Sequence, residues 1–76
     1  MTTRAESLLA EADRHIAAAE ARIAREKQLI ARMVAAGEDT IVSRRLLGVL
    51  EQSLALTRQH RALILAEIAG TLSLLC

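Results

Sequence analysis

Seventy-six residues allow one small domain, and the absence of Phe, Tyr and Trp removes the side chains that bury the most area. Hydrophobic residues make up 53% and charged residues 25%, with no proline, a composition that excludes disorder and favours long helices over sheets. Ten Lys and Arg against nine Asp and Glu give a net charge of +1, spread in alternating signs, so nothing calls for a nucleic acid or an anionic membrane.

The first predicted element covers about residues 3–36. Thr2, Thr3 and Ser7 are candidate N-caps, and Glu6 and Glu11 suit the positive end of a helix dipole. Within it Leu9-Ala10, Ile16-Ala17, Ile23-Ala24 and Ile30-Ala31 recur at intervals of seven, the mark of a helix whose seam faces another helix. With those aliphatics at position a, position d holds Ala5, Ala12, Ala19, Glu26 and Met33. Alanine there permits close approach but contributes little buried area. Leu8 and Leu29 widen the stripe at its ends.

The break is residues 37–40, Gly37-Glu38-Asp39-Thr40. Gly37 suits the left-handed conformation that closes a helix, and Asp39 or Thr40 can accept from the N–H groups opening the next one. So short a link makes the two helices antiparallel neighbours.

The second element is expected from about residue 40 to 75, although Gly70-Thr71 offers an earlier end. Its seam reads Leu47, Leu50, Leu54, Thr57, Arg61, Ile64, Ile68, Thr71, Leu75. Outside it runs a further apolar column, Val42, Val49, Leu56 and Leu63, bridged by Leu46. The combined face is wider than the ~100° stripe one neighbour needs, so a second covering surface is expected. Gly48 shares a column with Ala55, Ala62 and Ala69, which permits either a close helix contact or simple surface tolerance. A lone hairpin of this size has one interface, and burial barely offsets ordering entropy in such scaffolds. The expectation is therefore an all-α, coiled-coil-like antiparallel hairpin, one domain over residues 1–76, dimerising into a four-helix bundle. Leu9, Ile16, Ile23, Ile30, Leu47 and Leu54 form its internal seam. Val42, Leu46, Val49, Leu50, Leu56, Leu63, Ile64 and Ile68 are assigned to its interface with the second copy.

The stretch Leu9 to Ala31 contains no nucleophile, glycine-rich loop or ligand cluster, and Cys76 has no histidine or second cysteine near it in sequence, so no catalytic residue and no cofactor is assigned. His15 and His60 fall at nearly the same height of a hairpin, with Glu11 and Glu67 a turn or two away. Carboxylate-bridged bundle sites place Glu three residues before His, whereas Glu11 precedes His15 by four. The pair is thus either a metal or ligand site or two boundary histidines, and no metal is assigned. Arg61, Glu20 and Arg58, and likewise Glu26, Arg22 and Glu51, are charges near the seam. They suit either a small-ligand pocket or the setting of register. Arg44, Arg45, Arg58 and Arg61 could contact phosphates in a regulator of a larger macromolecule, but no aromatic is available for base stacking, so nucleic acid is not expected. Cys76, the one cysteine, excludes an intramolecular disulfide. The apolar run 62–76 carries Glu67 and is too short to span a bilayer. Residues 1–6 lack the apolar core of a signal peptide, so a cytoplasmic address is expected.

Arg22-Ile-Ala-Arg25, Leu29-Ile-Ala-Arg32, Gly37-x-Asp39-Thr40, Leu46-Leu47, Leu50-Glu51-x-x-Leu54 and His60-Arg61 together resemble small uncharacterised helical-hairpin proteins of alphaproteobacteria. Glu38 stands where that pattern has histidine, and the tail after Ile68 is longer. The resemblance covers residues 14–68 and implies a helical hairpin in a bacterial cytoplasm, with no activity attached. The reading of function is a non-enzymatic, self-associating scaffold or adaptor that presents a helical face to a protein partner. Its alternatives are a metal- or ligand-binding bundle using His15 and His60, and a small regulator.

Overall fold

Two helices account for nearly the whole computed structural model, which describes residues 3–75, the side chains of Leu72, Ser73 and Leu75 excepted. Helix α1 spans Arg4–Ala35 and α2 spans Ile41–Leu75, and among the described residues there is no strand. Thr2, Cys76 and the side chain of Leu75 lie outside the described residues. Ser43 Oγ lies 3.5 Å from Met33 Sδ, Arg58 pairs with Glu20, and Arg61 pairs with Asp13. These contacts descend α1 as they ascend α2, so the helices pack antiparallel.

Both ends of α1 and the start of α2 are chemically closed. Thr3 caps α1 through a reciprocal box: the Glu6 N–H donates to Thr3 Oγ1 at 3.1 Å, and the Thr3 N–H donates to Glu6 Oε2 at 3.5 Å. At the other end Gly37 has φ of 72°. That conformation lets the Glu38 N–H reach the Met33 carbonyl at 2.9 Å and the Gly37 N–H reach that of Val34 at 3.1 Å. The two bonds form a Schellman closure, which satisfies carbonyls the last turn would otherwise leave orphaned. Asp39 Oδ1 then accepts from the Ile41 N–H at 2.9 Å, opening α2. The Thr40 hydroxyl accepts instead from Arg44 Nε at 2.8 Å. Gly70 does not end α2, which continues to Leu75, and the Thr71 hydroxyl donates to the Glu67 carbonyl at 3.0 Å.

The core lies along a single seam. Ala12, Ile23 and Ile30 of α1 and Leu54 and Ile64 of α2 are buried, each still 5–7% exposed. Ala5, Leu9, Ile16, Ala19 and Met33, with Leu47, Leu50, Thr57 and Ile68, are half-buried around them. Thr71, a seam position by spacing, is exposed. The molecule measures 61 × 20 × 13 Å with a radius of gyration of 17.6 Å. A compact chain of this length has a radius of about 11 Å. Domains ordinarily enclose a core between two layers, and this hairpin is one layer.

Candidate functional site

A single layer has two broad faces, and the side chains flanking the seam distribute unevenly between them. The column Leu8, His15, Arg22, Leu29 on α1 and the columns Leu46, Ser53, His60, Glu67 and Val42, Val49, Leu56, Leu63 on α2 lie to one side. The side is fixed by an open groove of about 410 Å³, lined by Leu8, Glu11, Ala12 and His15 from α1 and Ser53, Leu56, Thr57 and His60 from α2. Small side chains at Ala12 and Thr57 leave this hollow where larger residues would close the seam.

Exposure on this face is high for aliphatic residues. Val42 is 79% exposed, Val49 62%, Leu56 61% and Leu63 65%, a ridge of four along α2. Leu8, Leu29 and Leu46 add apolar area beside it. Three other residues assigned from the sequence to an outward interface sit differently. Ile64 is 5% exposed and is used inside the hairpin, and Leu50 and Ile68 are half-buried in the same seam. The reason is register: these three fall at the positions that face α1, so the wide apolar arc divides into an inner and an outer strip. Leu9, Ile16, Ile23, Ile30, Leu47 and Leu54 are buried or half-buried between the helices.

His15 and His60 both line the groove, and His15 Nε2 stands 3.9 Å from Glu11 Oε1, one turn away on α1. Glu67 is not among the groove's walls. No group of three or more His, Cys, Asp or Glu among the described residues is placed to hold a metal ion. The imidazoles can donate and accept hydrogen bonds into a hollow whose walls mix the apolar Leu8, Ala12 and Leu56 with the polar Glu11, Ser53 and Thr57.

The opposite face carries the ion pairs between the helices. Arg61 Nε donates to Asp13 Oδ1, and Arg58 approaches Glu20 at 3.6 Å. Arg61 sits at a seam position by spacing, yet its guanidinium turns outward to Asp13, which the sequence alone does not single out. Beyond these pairs run the small residues Ala10, Ala17, Ala24 and Ala31 on α1 and Gly48, Ala55, Ala62 and Ala69 on α2. A Cβ at Gly48 would meet nothing within 4 Å, so within the hairpin Gly48 marks no close helix contact. Glu26, in the seam itself, is half-buried, and its Oε1 has no hydrogen-bond partner. Neither Arg22 nor Glu51 closes on it.

Arg44 and Arg45, the other candidate cations, lie near the turn, with Arg44 engaged by Thr40. No helix among the described residues is long and apolar enough to cross a membrane. Comparison with protein-family models, curated proteins and solved structures finds no match to this chain.

Proposed function

We propose that the protein is a non-enzymatic, self-associating helical hairpin that works in the cytoplasm as a small scaffold or adaptor, offering a helical face to a protein partner. The observation that carries this reading is the exposed ridge Val42, Val49, Leu56 and Leu63. Isolated surface aliphatics are ordinary, but a continuous apolar strip in a chain with so small a core favours burial against another surface. Its resemblance to alphaproteobacterial hairpin proteins agrees with a bacterial setting. Sedimentation equilibrium from about 1 to 100 μM tests it: a dimer is expected, with a thermal midpoint that rises with concentration. A fully folded, helical monomer across that range would falsify the proposal.

A second reading rests on the groove, where His15 and His60 share apolar walls with Leu8 and Leu56. In it the hairpin binds a small ligand or a metal through the two imidazoles. Titration with zinc or nickel during thermal melting tests this reading, because a metal held by the folded state must raise the midpoint. An unchanged midpoint would remove the metal form of it.

A further inference from the structure

We infer that the half of the apolar face nearest the turn receives an amphipathic helix of another protein, edged with carboxylates that pair with Arg22, Arg25 and Arg32. The inference rests on the proposed role of offering a helical face to a protein partner, and it adds the chemistry of that partner.

Charge segregation on α1 carries it. Signs that alternate along the sequence separate around the helix. Between Ala12 and Ala36 the acids are Asp13, Glu20 and Glu26; the first two pair with α2 and the third lies in the seam. Ala18, Arg22, Arg25, Leu29 and Arg32 follow one another at intervals of three or four, and so form a single stripe on the groove side of α1. The stripe is exposed, about 21 Å long at 1.5 Å per residue, and contains no acid. None of its three arginines pairs with a carboxylate among the described residues.

An apolar trough runs beside these arginines. The contact of Ser43 with Met33 puts Leu29 level with Leu46 and Leu47, and Arg25 level with about residue 51. Leu29 and Leu46, 39% and 38% exposed, form the floor, and Val42 and Val49 form the wall on α2. A helix laid in the trough meets aliphatics on one side and guanidinium groups on the other. Its matching surface is an apolar strip with an acidic edge, because guanidinium binds carboxylate in a two-pronged geometry. A second copy answers the valines but not the arginines, since the acids it offers on this face are Glu11 and Glu67, toward the open end. A bilayer would rest on the whole 61 Å length and desolvate those two carboxylates as well. A nucleic acid would engage the arginines and leave Val42 and Val49 in water.

The probe is a synthetic helical peptide of about five turns with leucines along one strip and glutamates along its edge, beside a twin carrying lysines in place of the glutamates. Fluorescence anisotropy with the full chain at about 0.1 M salt, where charges more than about 10 Å apart are screened, reads local pairing. The glutamate peptide is expected to bind about tenfold or more tightly than its twin. Arg25→Glu with Arg32→Glu is expected to reverse that preference, whereas Arg44→Glu with Arg45→Glu, the same charge change outside the stripe, should retain it. Val49→Asp should abolish binding of the glutamate peptide. Equal losses from the two double variants would show that only net charge is read, and undisturbed binding by Val49→Asp would remove the trough; either overturns the inference. A chain that binds phosphatidylglycerol vesicles and neither peptide overturns it in favour of a membrane surface. Sedimentation without peptide reads self-association separately. A dimer that takes neither peptide retains that reading and loses this inference, and a monomer that takes the glutamate peptide does the reverse.

Discussion

The two faces of the hairpin are built from the same helices and end at the same turn, yet they do opposite things with their side chains. On one, residues flanking the seam pair across the helices, Asp13 with Arg61 and Glu20 with Arg58, and the outer columns are alanine and glycine. Its large apolar side chains are Val34 and Ile41 beside the turn, and Leu65. On the other, Leu46, Ser53 and His60 flank the seam on α2, and the outer column is the aliphatic ridge. The first face satisfies its polar groups within the monomer and exposes short side chains. The second leaves large apolar groups in water and, among the described residues, makes no ion pair between the helices. The difference teaches that this chain separates internal register, fixed by charge on one side, from association, carried by area on the other.

The largest effect that can break this comparison is a charge on the ridge. Leu56→Glu is expected to weaken self-association by about 100-fold or more, on the order of 3 kcal/mol, because a carboxylate would be buried against the second copy without a partner. Ala55→Glu, the adjacent residue on the other face, is expected to leave the dimer intact. Sedimentation of the two variants at the same concentration reads the contrast directly, and equal dissociation by both would erase the distinction between the faces.

A smaller effect sharpens it. Gly48 lies in the middle of α2 on the ion-pair face, and a methyl group there meets nothing within 4 Å. Gly48→Ala is therefore expected to stabilise the fold by about 1 kcal/mol, the ordinary helix-interior difference between the two residues. The association constant should not change. If that methyl group instead dissociated the dimer, the small-residue columns would be the contact surface and the assignment of faces would be reversed.

Much of this architecture is legible in the residues themselves. The recurrence of Leu9, Ile16, Ile23 and Ile30, followed by Gly37 and Asp39, is enough to give two packed helices, because period and punctuation are local properties of a chain. What spacing cannot give is the division of a broad apolar arc. Ile64 and Leu63 are neighbours in sequence and equally aliphatic, and only the angle at which α1 docks leaves one 5% and the other 65% exposed. Long side chains were also illegible: Arg61 occupies a seam position but swings out to Asp13, a choice set by the reach of the guanidinium and the cost of burying it. Glu26 shows the converse, a half-buried side chain that keeps one carboxylate oxygen in the seam without a hydrogen-bond partner.

The smallest predicted effect concerns the ion pairs. Asp13 and Arg61 have side chains 53% and 37% exposed, and those of Glu20 and Arg58 are each more than half exposed. Water screens such pairs and their side chains lose rotamer freedom in forming them, so each contributes about 0.2–1 kcal/mol. Asp13→Ala should therefore lower stability by less than about 1 kcal/mol in low salt, and the difference from wild type should shrink further near 1 M salt, where the screening length falls to roughly 3 Å. Urea unfolding at the two salt concentrations measures both numbers. The informative quantity is the coupling in an Asp13→Ala, Arg61→Ala double-mutant cycle, since Arg61 also covers apolar seam with its methylenes and its removal costs packing as well as charge. A coupling near zero with a large Arg61→Ala effect would mean that register is held by that packing, and that the ion-pair face contributes little more to the hairpin than solubility.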